Sequence, residues 1–137
     1  MSNKKKIAIA GATGFIGRWF IETYKNDFEI IALSRKKINS VDNGVEWRMV
    51  DLFSISSSTE ALKGADYALY LVHSMQPSTR LNQSNFEDTD LLLADNFSRA
   101  SEECNLKHIV YVGGILPKDN LNISKHLQSR FEVEQVL

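Results

Sequence analysis

The sequence predicts an α/β fold: a doubly wound parallel sheet of five strands in the order 3-2-1-4-5, with helices on both faces. Three observations predict it. Short apolar runs of strand length alternate strictly with helical segments, the pattern of successive strand–helix–strand units. The second run, Phe28–Leu33, has three apolar residues in a row, typical of a strand buried on both faces. The first run breaks into Gly11-Ala12-Thr13-Gly14-Phe15-Ile16-Gly17, a glycine-rich turn that opens an amphipathic helix. The order 3-2-1-4-5 is the compact one that sets the ends of strands 1 and 4 side by side, leaving a crevice above that turn.

Taken in order, strand 1 covers Lys6–Ala10 and helix 1 covers Gly14–Lys25, with an apolar stripe of Phe15, Ile16, Trp19, Phe20 and Thr23. Strand 2 is Phe28–Leu33, the polar stretch Ser34–Gly44 is a loop, and strand 3 is Val45–Val50. Ser57-Ser58-Thr59-Glu60 has capping-box spacing, and Gly64 ends the short helix that follows. Strand 4 is Tyr67–Val72, and the loop His73–Asn82 contains Pro77. A long helix over Asn85–Glu103 presents Phe86, Thr89, Leu93, Phe97, Ala100 and Cys104 on one face. Strand 5, Ile109–Val112, ends in Gly113-Gly114, and a last helix from near Ser124 carries Leu127, Phe131 and Val136. That helix finishes on Val136-Leu137 with no glycine or asparagine stop. A doubly wound cofactor fold normally continues into a sixth strand and a substrate lobe. Residues 1–137 therefore read as one domain, the N-terminal part of a longer protein. The alternatives are a short form whose apolar end a partner covers, a homodimer among them, and an ordinary frayed end.

At 137 residues and 15.5 kDa, with 43% apolar residues, the chain is long enough to bury a core. The net charge of -1, with acids and bases intermixed, gives no electrostatic footprint for nucleic acid. Lys4-Lys5-Lys6 reads as a solvated lead-in to strand 1. No apolar segment approaches transmembrane length and nothing ahead of strand 1 resembles a signal peptide, so no membrane partner is expected. The single cysteine, Cys104, has no internal disulfide partner and falls on a predicted core stripe, which points to the cytoplasm. His73, His108 and His126 lack ligand spacing with one another or with a cysteine or carboxylate, so no metal site is expected. The glycine run lacks the Gly-Lys-Ser/Thr ending of a P-loop, which argues against nucleoside triphosphate hydrolysis. Glu102-Glu103 reads as a solvated helix face, and His108 as structural, at the sheet edge away from the crevice.

The glycine turn carries the functional reading. Gly11 lets the chain leave the strand sharply, Gly14 leaves room for a pyrophosphate, and Gly17 lets the helix pack close to the sheet. Phosphates held there face the unpaired N–H groups and positive end of the helix, which makes Gly11, Thr13, Gly14, Phe15, Ile16 and Gly17 the expected dinucleotide contacts. The bland alternative is a turn and nothing more. After strand 2 an acidic residue would accept both adenine-ribose hydroxyls and repel a 2'-phosphate; arginine does the reverse. Here stands Ser34-Arg35-Lys36-Lys37, with no acid until Asp42. Ser34 and Arg35 form a clamp suited to NADP over NAD, set against a merely solvated loop.

These motifs together resemble the short-chain dehydrogenase/reductase superfamily, in its extended or atypical NmrA-like branch, across essentially the whole chain. The resemblance implies a Rossmann-type NAD(P)-binding domain. Asp51-Leu52 is similar to the pair whose carboxylate and backbone meet the adenine. Tyr70-Leu71-Val72-His73-Ser74-Met75 is similar to the segment beside the cofactor ribose, which implicates Val72, His73 and Ser74. Ile109–Gly114 and Ser124–Arg130 resemble a bacterial subgroup of uncharacterised NAD(P)-binding proteins. Family enzymes use a tyrosine with a lysine four residues on; the matching positions are His126 and Arg130. Residues i and i+4 share a helix face, so both can reach one ribose. Histidine serves as an acid or base near neutral pH, and arginine grips a ribose or phosphate. The family's serine after strand 5 is replaced by Gly113 or Gly114, so a polarising hydroxyl has to come from Ser124. The alternative is that His126 only faces solvent. Two function classes stand: the cofactor half of an NAD(P)-dependent oxidoreductase or epimerase/dehydratase-like enzyme, and a non-catalytic dinucleotide-binding redox-sensor or regulatory module.

Overall fold

A computed structural model describes residues 3–72, 83–113 and 125–137, with side chains throughout except in 83–88 and 125–130. The elements are β1 (Lys6–Ala10), α1 (Phe15–Tyr24), β2 (Glu29–Ser34), β3 (Val45–Met49), α2 (Ile55–Leu62), β4 (Tyr67–Tyr70), α3 (Gln83–Glu103), β5 (His108–Tyr111) and α4 (Lys125–Val136). The five strands form one sheet in the order β3-β2-β1-β4-β5. Every pairing is parallel, with Ile9 opposite Ala32 on one side and Leu69 on the other. The predicted order is therefore borne out.

Alternation along the strands divides the core between two faces. On one face Ala8, Ala10 and Ala68 are small, which leaves depth for Tyr70 of β4 and Phe97 of α3, whose ring centroids are 4.9 Å apart. Ala61 and Leu62 of α2, Leu93, Ala94 and Ala100 of α3, and Val133 of α4 complete that layer. On the other face Ile7, Ile9, Ile30, Ala32 and Leu69 are covered by Ile21 and, at the margin, Phe20. Each large aliphatic side chain buried this way contributes about 1.5–3 kcal/mol.

Helix α1 corrects the predicted stripe. Gly17 and Ile21 are its buried residues, whereas Phe15 (89% exposed), Ile16 (45%) and Trp19 (55%) face outward. Gly17 sets this rotation. A Cβ placed there would lie 2.5 Å from the Gly11 carbonyl oxygen, so this bare backbone has to face the turn. Phe20, Ile21 and Tyr24, three to seven residues on, then follow it inward. Tyr24 packs on Phe20 with centroids 4.8 Å apart and meets the edge of Phe28.

Helix α2 starts earlier than the capping-box reading. Its N-cap is Ser54, whose Oγ accepts from the Ser57 N–H at 3.2 Å. The chain has already turned at Asp51, which accepts from Phe53 N–H through Oδ1 and from Ser54 N–H through its carbonyl. Gly64, at φ +84, ends the segment as expected. Cys104 lies just past α3 and is half-buried, its thiol donating to the Thr59 carbonyl at 3.3 Å; the sequence reading had placed it in the core. Asn105, at φ 58, reverses the chain there, and Leu106 N–H closes back on the Ser101 carbonyl. On α4 Val133 is buried and Phe131 is 40% exposed, while Val136 and Leu137 pack at the margin of the core. The loop His73–Asn82, Gly114 and Ser124, and the side chains of Phe86 and Leu127, lie outside the described residues.

Candidate functional site

A parallel sheet puts all strand carboxyl ends on one rim, and in this order the connections leaving the adjacent β1 and β4 run to opposite sides there, at the point where the winding reverses. The chain leaves β1 through Gly11, which sits at φ +87, a conformation that L side chains rarely adopt. A Cβ at Gly11 would meet the Leu71 backbone at 3.0 Å, so the turn and the end of β4 are in contact through bare backbone. Leu71 N–H donates to the Ala10 carbonyl at 2.9 Å and locks the two ends together. Gly14 is the N-cap of α1 in an extended conformation, φ -77 and ψ 176, open to any residue. A Cβ there would meet only the Gly11 oxygen, at 3.4 Å.

Gly14 therefore has no fold-related reason to lack a side chain, and the space it leaves is open. The N-terminus of α1 has no side-chain cap and no acid in its first turn. Helix N–H groups without such acceptors attract an anion, and the partial positive charge of the helix end adds to the attraction. Thr13, Phe15 and Ile16 are exposed around this opening. Glycine where a ligand backbone would pass, with uncapped N–H groups behind it, fits a dinucleotide pyrophosphate.

The same rim holds several of the other expected cofactor residues. Ser34 is the last residue of β2; its Oγ accepts from the Lys36 N–H at 3.2 Å, which curls the chain so that Arg35 follows directly at the strand end. Arg35, Lys36 and Lys37 are exposed, and Arg35 has no ion-pair partner among the described residues. Asp51 and Leu52 follow β3, the former exposed and the latter buried. Val72, half-buried, continues β4 and packs on the core. His73 and Ser74 lie outside the described residues, as does Ser124. His126 and Arg130 fall on α4, four residues apart, and their side chains are likewise outside the described set.

Asn96 escaped the sequence reading. It is 5% exposed on α3, and its Nδ2 donates to the Leu52 carbonyl at 3.0 Å. Its signal was a polar residue at a core position, three after Leu93 and four before Ala100. His108 begins β5 at the opposite, amino end of the strands, its ring stacked on Tyr67 with centroids 6.2 Å apart. Tyr70, which opens the segment expected beside the ribose, turns its own ring into the core, where burial pushes the phenol pKa up. Two open concavities, of about 420 and 590 Å³, lie at the amino ends of β1–β3 and beside the β3 edge; no residue of the turn lines either. Among the described residues no three metal-ligating side chains cluster, and no helix is long and apolar enough to cross a membrane.

Comparison with known proteins agrees with this geometry. Residues 11–134 match the NAD(P)H-binding family model, from the first glycine of the turn to the last helix. The auxiliary protein GraX of Staphylococcus aureus (strain NCTC 8325 / PS 47) is 33% identical over 113 residues, 81% of this chain and 37% of GraX. UDP-N-acetylglucosamine 4-epimerase from Bacillus cereus superposes with a TM-score of 0.72 at 26% identity, over 96% of this chain and 52% of the epimerase. The NADPH-dependent quinone oxidoreductase of Escherichia coli, solved with NADPH, superposes with a TM-score of 0.71 at 23% identity, over 94% of this chain and 43% of that one. The chain thus spans about half or less of the length of these three proteins. It belongs to the NAD(P)H-binding family, as a Rossmann-type domain whose structural neighbours lie in the short-chain dehydrogenase/reductase and epimerase superfamily.

Proposed function

We propose that this chain is the cofactor-binding part of an NAD(P)-dependent oxidoreductase or epimerase/dehydratase-like protein, with NADP favoured over NAD. The uncapped N-terminus of α1 behind the open backbone of Gly14 carries the reading. The pyrophosphate rests on the N–H groups of Phe15, Ile16 and Gly17, with Gly11 and Thr13 shaping the turn. The adenine lies against Asp51-Leu52, and the nicotinamide ribose beside Val72, His73 and Ser74. Ser34 and Arg35 take the 2'-phosphate: three successive cations stand there with no acid beside them in sequence. When bound, the nicotinamide supplies hydride chemistry. Of the chain's own residues, His126 would hold or release a proton, Arg130 would grip ribose or phosphate, and Ser124 would supply the hydroxyl that Gly113-Gly114 lacks.

A second reading, a non-catalytic dinucleotide-binding regulatory module, draws support from GraX, which by name is an auxiliary protein. Titration separates the readings in two steps. NADPH fluorescence should rise saturably on adding the protein, and NADP should compete better than NAD. Absence of saturable binding for both cofactors rejects either reading. Binding followed by His126-dependent oxidation of NADPH in the presence of carbonyl or quinone compounds favours the enzyme, and binding without it the module.

A further inference from the structure

The loop from β3 into α2 is stitched locally at nearly every backbone N–H. Val50 donates to the Ser34 carbonyl at 2.9 Å, Asp51 to Ser57 Oγ at 3.0 Å, and Ser54 to the Asp51 carbonyl at 3.0 Å. The Leu52–Phe53 peptide is held differently, at both polar ends. Its N–H donates to Asp51 Oδ1 at 3.0 Å, and its carbonyl accepts from Asn96 Nδ2 at 3.0 Å, across 44 residues of sequence. Asn96 is buried on α3, three residues after Leu93 and next to Phe97, both of them core residues. A leucine there would leave the Leu52 carbonyl without this donor, so the amide's place on α3 is tied to holding that one peptide.

We infer that Asn96 is a positioning residue for purine recognition. By fixing the Leu52–Phe53 peptide it fixes the N–H that holds Asp51 Oδ1, and so aims Asp51 Oδ2, which has no partner among the described residues, at the exocyclic amino group of adenine. Without that grip the peptide can rotate, and the Asp51 carboxylate loses its fixed direction. The Leu52 N–H, also without a partner among the described residues, is set by the same chain of contacts to donate to the purine ring. The inference rests on the proposal that adenine lies against Asp51-Leu52.

The test compares NADP with nicotinamide hypoxanthine dinucleotide phosphate, in which oxygen replaces the purine amino group. The same change puts a proton on purine N1, so by calorimetry the wild-type chain should prefer NADP by about tenfold or more, the scale of one or two hydrogen bonds. Asn96→Leu should keep its affinity for the hypoxanthine analogue and lose most of that preference. Asn96→Ser, whose hydroxyl is too short to span the contact, should do the same and serves if the leucine variant fails to fold. A wild-type chain that binds both equally overturns the placement of the adenine. A wild-type preference that survives in a folded variant overturns the role of Asn96 and leaves that placement standing. Equal loss of affinity for both ligands in the variants also overturns it, since that is what a packing residue would give.

Discussion

Gly14 and Gly17 stand three residues apart in one turn, and the protein needs them bare for different reasons. A methyl group at Gly17 would sit 2.5 Å from the Gly11 oxygen and 2.8 Å from Ala12 Cα, both rigid backbone. Gly17→Ala should therefore cost about 1–3 kcal/mol in urea denaturation, the range of overpacking. Gly14 sits in extended backbone with nothing closer than 3.4 Å, so Gly14→Ala should cost the fold about 1 kcal/mol or less. If Arg35 binds a 2'-phosphate as proposed, Arg35→Ala removes a charge-assisted hydrogen bond worth about 1.5–3 kcal/mol. NADP affinity should fall roughly tenfold to hundredfold while NAD is hardly touched; parallel losses for both would show that Arg35 does not select. The turn at Gly11 and the close approach at Gly17 were legible because each acts through its own local backbone. Asn96 was not, because its partner is Leu52 and only the packing of α3 brings the two together.

Elements were read well where one feature decides their bounds and poorly where several compete. Gly64 left a single place for α2 to end. Its start was ambiguous, since Ser54, Ser56, Ser57 and Ser58 are all capable caps, and the turn held by Asp51 selects Ser54. Ser54→Ala should destabilise the fold by about 1 kcal/mol. A loss that appeared instead on Ser56→Ala, whose hydroxyl reaches only the Ser54 side chain, would relocate the cap. The rotation of α1 was misread because Phe15, Ile16 and Trp19 look like a core stripe, while the contact that turns the helix belongs to a residue with no side chain. Cys104 shows a similar limit immediately after α3. Partial burial pushes its thiol pKa up, chiefly by desolvation, and the thiol is engaged with the Thr59 carbonyl. Reaction with a thiol reagent near pH 7 should be much slower in the folded chain than in urea; equal rates would contradict that environment.

Across the whole molecule, strand order followed from alternation and connectivity alone, since right-handed crossovers leave few arrangements for five parallel strands. The roles proposed for His126 and Arg130 come from resemblance alone, since neither residue stands in a local motif that carries its own chemistry. The chain spans 52% of the length of the Bacillus cereus epimerase, and in the proposed reading residues 1–137 supply the shelf on which the cofactor lies. Residues 1–137 should accordingly bind dinucleotide and turn over small carbonyl or quinone compounds far more slowly than about 1 per second. Turnover near that rate, abolished by His126→Phe, would contradict this. The account rests above all on the pyrophosphate lying against Gly14, and calorimetric titration of NADP into the wild-type chain and into folded Gly14→Val tests it most directly. Valine fills the space left for the pyrophosphate, so the wild type should give a saturable binding isotherm and the variant none. An unchanged affinity in a variant of unchanged fold would contradict the account.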